Sequence, residues 1–251
     1  MVRIRNETPV KGWCGLRCGA ANGLDRACEA AHRAGLGLRQ TGCGLTLSDG
    51  ALELRADFAH LLPRVKQGAL QRELLVRAAR LRGAADPVAI DATAGLGEDS
   101  FLLAAAGFHV RLYECNPVIA ALLRDALERA ADDSALAPIA ARMEAVEGDS
   151  VQALAEAAAA GAAPDLVYLD PMFPGRTKSA AVKKKFQLLH HLERPCADER
   201  TMAEAALAAH PRKIVVKRPV KGAHLAGIKP SYSIAGKAVR YDVLVGTRKE
   251  A

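Results

Sequence analysis

The segment Asp91-Ala-Thr-Ala-Gly95-Leu-Gly97-Glu98-Asp99 follows the apolar run VAI and precedes the apolar run FLLAAAG. Two glycines spaced by one residue let the backbone turn sharply and approach a ligand closely. A helix that begins directly after such a turn presents unpaired N–H groups to the same ligand. The segment is therefore predicted to be a ligand-binding loop between a strand and a helix.

Acidic residues near this loop indicate which ligand it binds. Position 100 is Ser, so the third glycine of the dinucleotide pattern G-x-G-x-x-G is missing. Asp91 favours a ligand with an ammonium group over one with a pyrophosphate. Glu114 ends the next predicted strand, where a carboxylate can accept hydrogen bonds from both ribose hydroxyls. S-adenosylmethionine (SAM), with its amino acid tail, ribose and sulfonium, carries all of these groups.

A second candidate site is the loop Asp170-Pro171-Met172-Phe173-Pro174, which follows the apolar run LVYL. It resembles the D/N-P-P-Y/F loop of methyltransferases that act on exocyclic amines. The lone pair of such an amine is delocalised into the ring, and acceptors for its N–H groups favour a more nucleophilic geometry. Asp170 and Pro171 are predicted to hold the amine, and Phe173 to stack on the base. An ordinary Asp-Pro turn is the alternative.

Basic residues are concentrated after this loop. Between Arg176 and Lys221 there are 12 Lys and Arg against 4 Asp and Glu, whereas the 251-residue chain has a net charge of +7. A local surplus favours a polyanionic partner, and a solvated helix face is the alternative. The residues predicted to hold RNA phosphates are Arg176, Lys178, Lys183, Lys184, Lys217 and Arg218.

Alternating strands and helices position these residues. From Pro87 onward the predicted strands VAIDAT, FHVRLYE, ARMEAVEGDS, DLVYLDPMF and RKIVVKRP alternate with helices. This order predicts an α/β fold with a doubly wound, mostly parallel sheet, in which ligands bind beyond the carboxyl ends of the strands. Asp149 and Ser150 end the third strand, where they either reach an adenine edge or cap the next helix.

The region before this domain is predicted to be a small α+β extension covering residues 1–85, with the α/β domain at 86–251. Within the extension, the patterns predict a helix at 24–33, a β-hairpin at 45–55 and a helix at 67–82. No apolar stretch approaches the ~20 residues of a membrane helix. Six cysteines in a long chain without an export signal are predicted to be reduced, and their spacing supports no metal site.

The motifs together resemble one family. DATAGLGEDSFLLA, YECNPVIAALLRDAL, VYLDPMFP with KSAAVKKK, and IVVKRP with VRYDVLVGT resemble the RsmJ family of bacterial 16S ribosomal RNA guanine-N2 methyltransferases. The resemblance covers about 87–247 and implies a class I, Rossmann-like SAM-dependent methyltransferase fold. It implies methylation of the N2 amine of guanosine 1516, in the cytoplasm, as part of ribosome biogenesis. It also implies cofactor contacts at Glu98, Asp99, Glu114, Cys115, Asp149, Ser150 and Asp170, beside the loop residues Asp91, Gly95 and Gly97.

Three alternatives remain open. A nicotinamide-dependent oxidoreductase could use the G-x-G loop, although the missing third glycine and the DPMFP sequence count against it. A ribosome-assembly factor could bind RNA without catalysis, although Asp91 and Asp170 are both present. An enzyme of the same chemistry could act on another RNA base or amine. The expected partner is 16S ribosomal RNA or the small ribosomal subunit, with no membrane and no stable protein partner.

Overall fold

A computed structural model describes residues 20–171, 188–189, 192 and 198–246. Its strands are β1 (Gly37–Thr41), β2 (Gly44–Ser48), β3 (Glu53–Leu54), β4 (Val88–Asp91), β5 (His109–Glu114), β6 (Met143–Glu147), β7 (Leu166–Leu169), β8 (Lys213–Pro219), β9 (Tyr232–Ala235) and β10 (Val239–Val245). Its helices are α1 (Ala20–Arg33), α2 (Leu62–Val65), α3 (Leu74–Ala79), α4 (Glu98–Ala105), α5 (Pro117–Asp132), α6 (Ala137–Ala140), α7 (Ser150–Ala159) and α8 (Glu199–Ala208), with 3₁₀ turns at Ala59–Leu61, Leu70–Arg72 and Leu225–Gly227.

A seven-stranded sheet forms the centre of the molecule, in the order β6-β5-β4-β7-β8-β10-β9. The strands from β6 to β8 are parallel, whereas β10 runs antiparallel to both β8 and β9. The strand order reverses between β4 and β7, so the loops after these two strands meet at the switch point where such folds bind ligands. The predicted doubly wound, mostly parallel α/β sheet is confirmed.

Both faces of the sheet are covered, which explains why the central strand β7 is apolar throughout. In β7 all four residues are buried, and successive side chains alternate between the two hydrophobic clusters. One cluster contains buried residues of α3, α4 and α5, and the other contains those of α7 and α8. The alternation makes the sheet the central layer between two layers of helices.

The N-terminal part packs on this domain. Strands β1, β2 and β3 form a separate antiparallel sheet, which confirms the hairpin and adds β1 to it. Helix α1 confirms the predicted helix at 24–33, and its buried residues Ala27 and Ala31 belong to the same cluster as residues of α5. One hydrophobic core therefore joins the two parts, and the boundary at residues 85 and 86 stays a prediction.

The prediction of one helix over 67–82 is wrong. The chain forms a 3₁₀ turn at Leu70–Arg72 and the short helix α3, interrupted by Glu73 with φ −60° and ψ 128°. The Glu73 carboxylate accepts two hydrogen bonds from Arg64, both 2.8 Å long. Apolar spacing alone gave no sign of this ion pair or of the extended backbone at Glu73.

Two further features of the described residues bear on the sequence predictions. None of their helices combines the length and apolar character needed to cross a membrane. Cys28 and Cys43 are free, as predicted, and both are exposed. Cys115 is disulfide-bonded, so the expectation of a reduced thiol is wrong for Cys115.

Candidate active site

The loop after β4 takes its shape from two glycines. Gly95 has φ +54° and Gly97 has φ +79°, in the left-handed region that favours glycine. A Cβ atom at Gly97 would lie 2.7 Å from Leu123 Cδ1, whereas one at Gly95 would meet no atom within 4 Å. The loop is therefore closely packed at Gly97 and leaves an open backbone cradle at Gly95.

Asp91 supports this loop from inside the protein. The side chain is buried, and its Oδ1 accepts a hydrogen bond from the Thr93 backbone N–H at 3.0 Å. Its Oδ2 accepts one from the Ser100 hydroxyl at 2.5 Å. These bonds join the end of β4 to the first turn of α4, so Asp91 shapes the loop. Contact between Asp91 and an ammonium group stays a prediction.

The buried Asp91 carboxyl group should make stability depend on pH. Burial raises the pKa of Asp91 from 3.8 to about 7, against the opposing effect of the Ser100 and Thr93 hydrogen bonds. The folded protein then binds more protons than the unfolded chain between these values, so this contribution to stability falls as pH rises through that range. When pH is raised from about 5 to about 8, the free energy of unfolding should fall less for Asp91→Asn than for wild type. Urea denaturation measures this difference. Equal losses in the two proteins would contradict the assignment.

Glu114 ties the end of β5 to the same loop. Its Oε2 accepts the Gly95 N–H at 3.0 Å, and its Oε1 accepts the Asn116 N–H at 2.8 Å. Burial raises the pKa of Glu114, and the backbone hydrogen bonds partly oppose the rise. Each carboxylate oxygen has two lone pairs, so Glu114 can hold the loop and still accept a hydroxyl. This placement fits the predicted ribose contact.

Asp170 lies next to the glycine loop at the switch point. Its backbone N–H donates a 2.6 Å hydrogen bond to the Thr93 hydroxyl, which joins the loops after β4 and β7. The Asp170 side chain is 37% exposed, so it can be reached by a substrate, whereas Pro171 is buried. The predicted stacking residue Phe173 lies outside the described residues.

Asp170 is part of a charged cluster, which we call the Lys217 cluster. The Lys217 ammonium nitrogen lies 2.6 Å from Asp99 Oδ2 and 2.8 Å from Asp170 Oδ2. The Tyr168 hydroxyl donates to the same Asp99 oxygen at 2.6 Å. The cluster is defined as Asp99, Tyr168, Asp170 and Lys217. It places Asp99, a predicted cofactor contact, in the ion-pair network that also holds Asp170.

Three residues in or beside this cluster were not predicted from the sequence. Tyr168 stands two residues before Asp170, and its place in the reactive strand was the signal that could have identified it. Tyr241 is opposite Lys217 in the β8–β10 pairing, and burial, followed by Asp99, raises the pKa of its hydroxyl. Arg64 acts electrostatically on Tyr241 from the N-terminal part. Neither Arg64 nor Tyr241 had a local signal, because tertiary packing brings them to the site.

The remaining predicted cofactor residues lie along the same edge of the sheet. Glu98 opens α4 and faces His60 Nε2 at 3.6 Å, and Cys115 directly follows β5. Asp149 Oδ1 accepts the Val151 N–H at 2.9 Å and so caps α7, while Ser150 is buried. Helix capping is thus the observed role of Asp149, and an adenine contact stays a prediction. No group of side chains suited to holding a metal ion occurs among the described residues.

The predicted RNA-binding residues separate into different environments. Lys217 is inside the site, as described above. Arg218 is 1% exposed and donates two hydrogen bonds to Glu199, at 2.9 and 3.2 Å, and one to the Ala223 carbonyl. A guanidinium buried in this way has no surface for an RNA phosphate, so the predicted RNA contact of Arg218 is replaced by a structural role. Arg176, Lys178, Lys183 and Lys184 lie outside the described residues.

This structural role of Arg218 can be tested by substitution. Arg218→Met should lower the free energy of unfolding by about 1 to 3 kcal/mol, because it leaves the half-exposed Glu199 carboxylate and the Ala223 carbonyl without a buried donor. Urea denaturation measures the loss. RNA affinity at a temperature where both proteins are folded should be unchanged. Weaker RNA binding at full stability would contradict the structural role.

Known proteins are similar to this chain in sequence. A family model for SAM-dependent methyltransferases matches residues 29–246. The ribosomal RNA small subunit methyltransferase J of Thioalkalivibrio sulfidiphilus is 46% identical over 206 residues, which are 80% of this chain and 79% of that protein. The protein of the same name from Pseudomonas aeruginosa is 46% identical over 195 residues, 76% and 73% of the two chains. The chain belongs to the ribosomal RNA small subunit methyltransferase J family.

A solved structure supports the same relationship. The crystal structure of a SAM-dependent methyltransferase from Neisseria gonorrhoeae is 31% identical, with a TM-score of 0.68 over 85% of this chain and 84% of that one. A member of the methyltransferase J family uses SAM, which excludes a nicotinamide cofactor. The open cradle at Gly95 and the buried Glu114 carboxylate are the observed features that fit SAM. The class I methyltransferase fold is therefore confirmed.

Proposed function

We propose that this protein transfers a methyl group from SAM to the exocyclic N2 amine of a guanine in 16S ribosomal RNA. The observation that carries the proposal is the hydrogen bond from the Asp170 backbone N–H to the Thr93 hydroxyl, which places an exposed carboxylate beside the glycine-containing loop after β4. The relatives are named ribosomal RNA small subunit methyltransferases, and this supports the substrate class. The family resemblance supports the N2 position of guanosine 1516.

The chain's own residues divide the work of binding. The backbone around Gly95, the N-terminus of α4 and the Glu114 carboxylate would hold SAM, with Glu98, Asp99, Cys115, Asp149 and Ser150 as further proposed contacts. When bound, SAM supplies a methyl carbon made electrophilic by the sulfonium. Because Asp91 and Glu114 already fix the loop through hydrogen bonds, little reorganisation is needed on binding.

Asp170 acts on the guanine amine. Its carboxylate accepts a hydrogen bond from the amine N–H, which draws the nitrogen towards a more nucleophilic geometry. The same charge stabilises the positive charge that develops on nitrogen, and the surplus proton leaves through the carboxylate to water. Pro171 restricts the backbone beside it, so the carboxylate stays in place. Positioning of this kind supplies much of the rate of a bimolecular transfer.

The RNA contacts of the proposal rest on charge. Arg176, Lys178, Lys183 and Lys184 are proposed to contact phosphates, and Phe173 to stack on the target base. A guanine paired in a duplex is out of reach, so the target lies in a loop or is flipped out of its helix. Each phosphate contact releases counterions, so RNA affinity should fall as salt rises. The protein is proposed to act in the cytoplasm, on 16S ribosomal RNA or on the small subunit.

A complementation experiment tests the proposed function. In a strain that lacks this gene, nucleosides from digested 16S ribosomal RNA are measured by mass spectrometry after expression of wild-type protein. Wild-type protein should restore N2-methylguanosine at the unmodified guanosine. Restoration of a different nucleoside would show that the enzyme acts on another base. No change in any nucleoside would contradict a role in modifying 16S ribosomal RNA.

A further inference from the structure

Lys217 lies inside the site, although its position in a basic segment suggested an RNA contact. The side chain is 21% exposed, and its ammonium nitrogen bonds Asp99 at 2.6 Å and Asp170 at 2.8 Å. Asp99 belongs to the first turn of α4, and Asp170 directly follows β7. One ammonium group from β8 therefore joins the start of α4 to the end of β7, beside the glycine-containing loop after β4.

Tyr168 fixes the other side of this arrangement. Its hydroxyl donates to the Asp99 oxygen that Lys217 also contacts. Burial raises the pKa of Tyr168 well above its ordinary value, so the hydroxyl keeps its proton and remains a donor. Asp99 is thus held by two donors, and it in turn fixes the ammonium group next to Asp170.

The charges of the cluster depend on Lys217. Two carboxylates in one site repel each other, and an opposite charge within hydrogen-bond distance favours their ionised forms. Burial lowers the pKa of Lys217, but Asp99 and Asp170 outweigh burial and raise it overall. The ammonium group therefore stays charged at physiological pH. Among the residues that the structure describes, Asp91, Tyr241 and Arg64 also act electrostatically on the cluster.

Resting on the proposed methyl transfer, we propose that Lys217 is the positioning residue for Asp170. Its ammonium group keeps the Asp170 carboxylate ionised and fixes one carboxylate oxygen, so that Asp170 meets the guanine amine as a hydrogen-bond acceptor. A protonated carboxyl group would instead direct an O–H towards the N–H groups of the amine. Lys217 does not bind an RNA phosphate in this arrangement, because its ammonium group is already held between Asp99 and Asp170.

The charge of Lys217 is tested separately from its hydrogen bonds. Lys217→Gln keeps donor N–H groups without the charge, and Lys217→Arg keeps the charge. NMR of ¹³C-labelled carboxyl groups, assigned with Asp170→Asn, follows the ionisation of Asp170 in the free protein. The titration midpoint should rise by about 1 to 3 pH units in Lys217→Gln and stay near wild type in Lys217→Arg. An unchanged midpoint in Lys217→Gln overturns the proposal, whether or not any substrate is methylated.

Turnover gives an independent readout. The loss of kcat in Lys217→Gln should be largest at low pH and should shrink as pH rises, because alkali restores the carboxylate. Lys217→Arg should keep the wild-type pH profile. The matched control is Lys213→Met on the same strand, since Lys213 bonds Ala78, Arg80 and Tyr232 away from the Lys217 cluster. If Lys217→Gln only raised the KM for RNA, and the difference from wild type disappeared as salt was raised, Lys217 would be a phosphate contact. That result would overturn the proposal.

Discussion

Replacing Asp170 by alanine is expected to lower kcat for methyl transfer by about 10²- to 10⁴-fold, the range for removing a positioned acid–base group. The truncated side chain can neither orient the amine nor stabilise the charge that develops on nitrogen. SAM affinity should change less than kcat, because the substitution keeps the backbone hydrogen bond from Asp170 to the Thr93 hydroxyl and the hydrogen bond from the Gly95 N–H to Glu114. Single-turnover transfer to small-subunit particles, with SAM binding measured by calorimetry, checks both statements.

Asp165 offers a matched control for this substitution. It directly precedes β7, at the opposite end of the strand from Asp170, and its Oδ2 accepts the Val88 N–H at 3.0 Å. Asp165→Asn keeps an acceptor oxygen there and should transfer methyl groups at the wild-type rate. Asp170→Asn, which also keeps an acceptor oxygen, should retain more activity than Asp170→Ala. A rate for Asp170→Ala close to that of wild type would remove Asp170 from the catalytic role.

The two glycines of the loop should respond differently to alanine. Gly97→Ala is expected to lower the free energy of unfolding by about 2 to 4 kcal/mol. The alanine would have to adopt a left-handed backbone conformation, and its methyl group would lie 2.7 Å from Leu123 Cδ1. Gly95→Ala should cost only about 1 to 2 kcal/mol, because its methyl group points into open space. That methyl group would occupy the cradle, so the Kd for SAM should rise at least about tenfold.

Denaturation and SAM calorimetry on the two glycine variants separate packing from binding. Gly97→Ala reports on the contact between the loop and the core, and Gly95→Ala reports on the ligand. If Gly95→Ala bound SAM as tightly as wild type, the cradle would not be the cofactor site. If Gly97→Ala were as stable as wild type, the close packing of this loop would not contribute to folding.

The features predicted correctly from the sequence depend on short stretches of chain. The glycine loop, Glu114 and Asp170 each stand at the end of an apolar strand, and parallel strands bring their carboxyl ends to one edge. Position within the motif was therefore enough to place these residues together. Their exact contacts, such as the bond from Asp170 to Thr93, depend on side-chain geometry that no local pattern contains.

The features that were missed depend on pairing between distant segments. Adjacent residues of a strand point to opposite faces, so Lys217 and Arg218 could not both face RNA from β8. Which of them reaches Asp170 follows from the register of β8 beside β7, where Val216 is opposite Leu169. Glu73 shows the same limit, since it is extended and pairs with Arg64 within an apolar pattern typical of a helix.

We propose that the edge of the sheet beside Asp170 methylates the N2 amine of a guanine in small-subunit ribosomal RNA. The most direct measurement incubates purified protein and labelled SAM with small-subunit particles from a strain lacking this gene. The labelled nucleosides are then separated by chromatography, for wild type and for Asp170→Ala. Wild-type protein should produce labelled N2-methylguanosine, and Asp170→Ala should produce almost none. A different labelled nucleoside, or equal labelling by both proteins, would contradict this proposal.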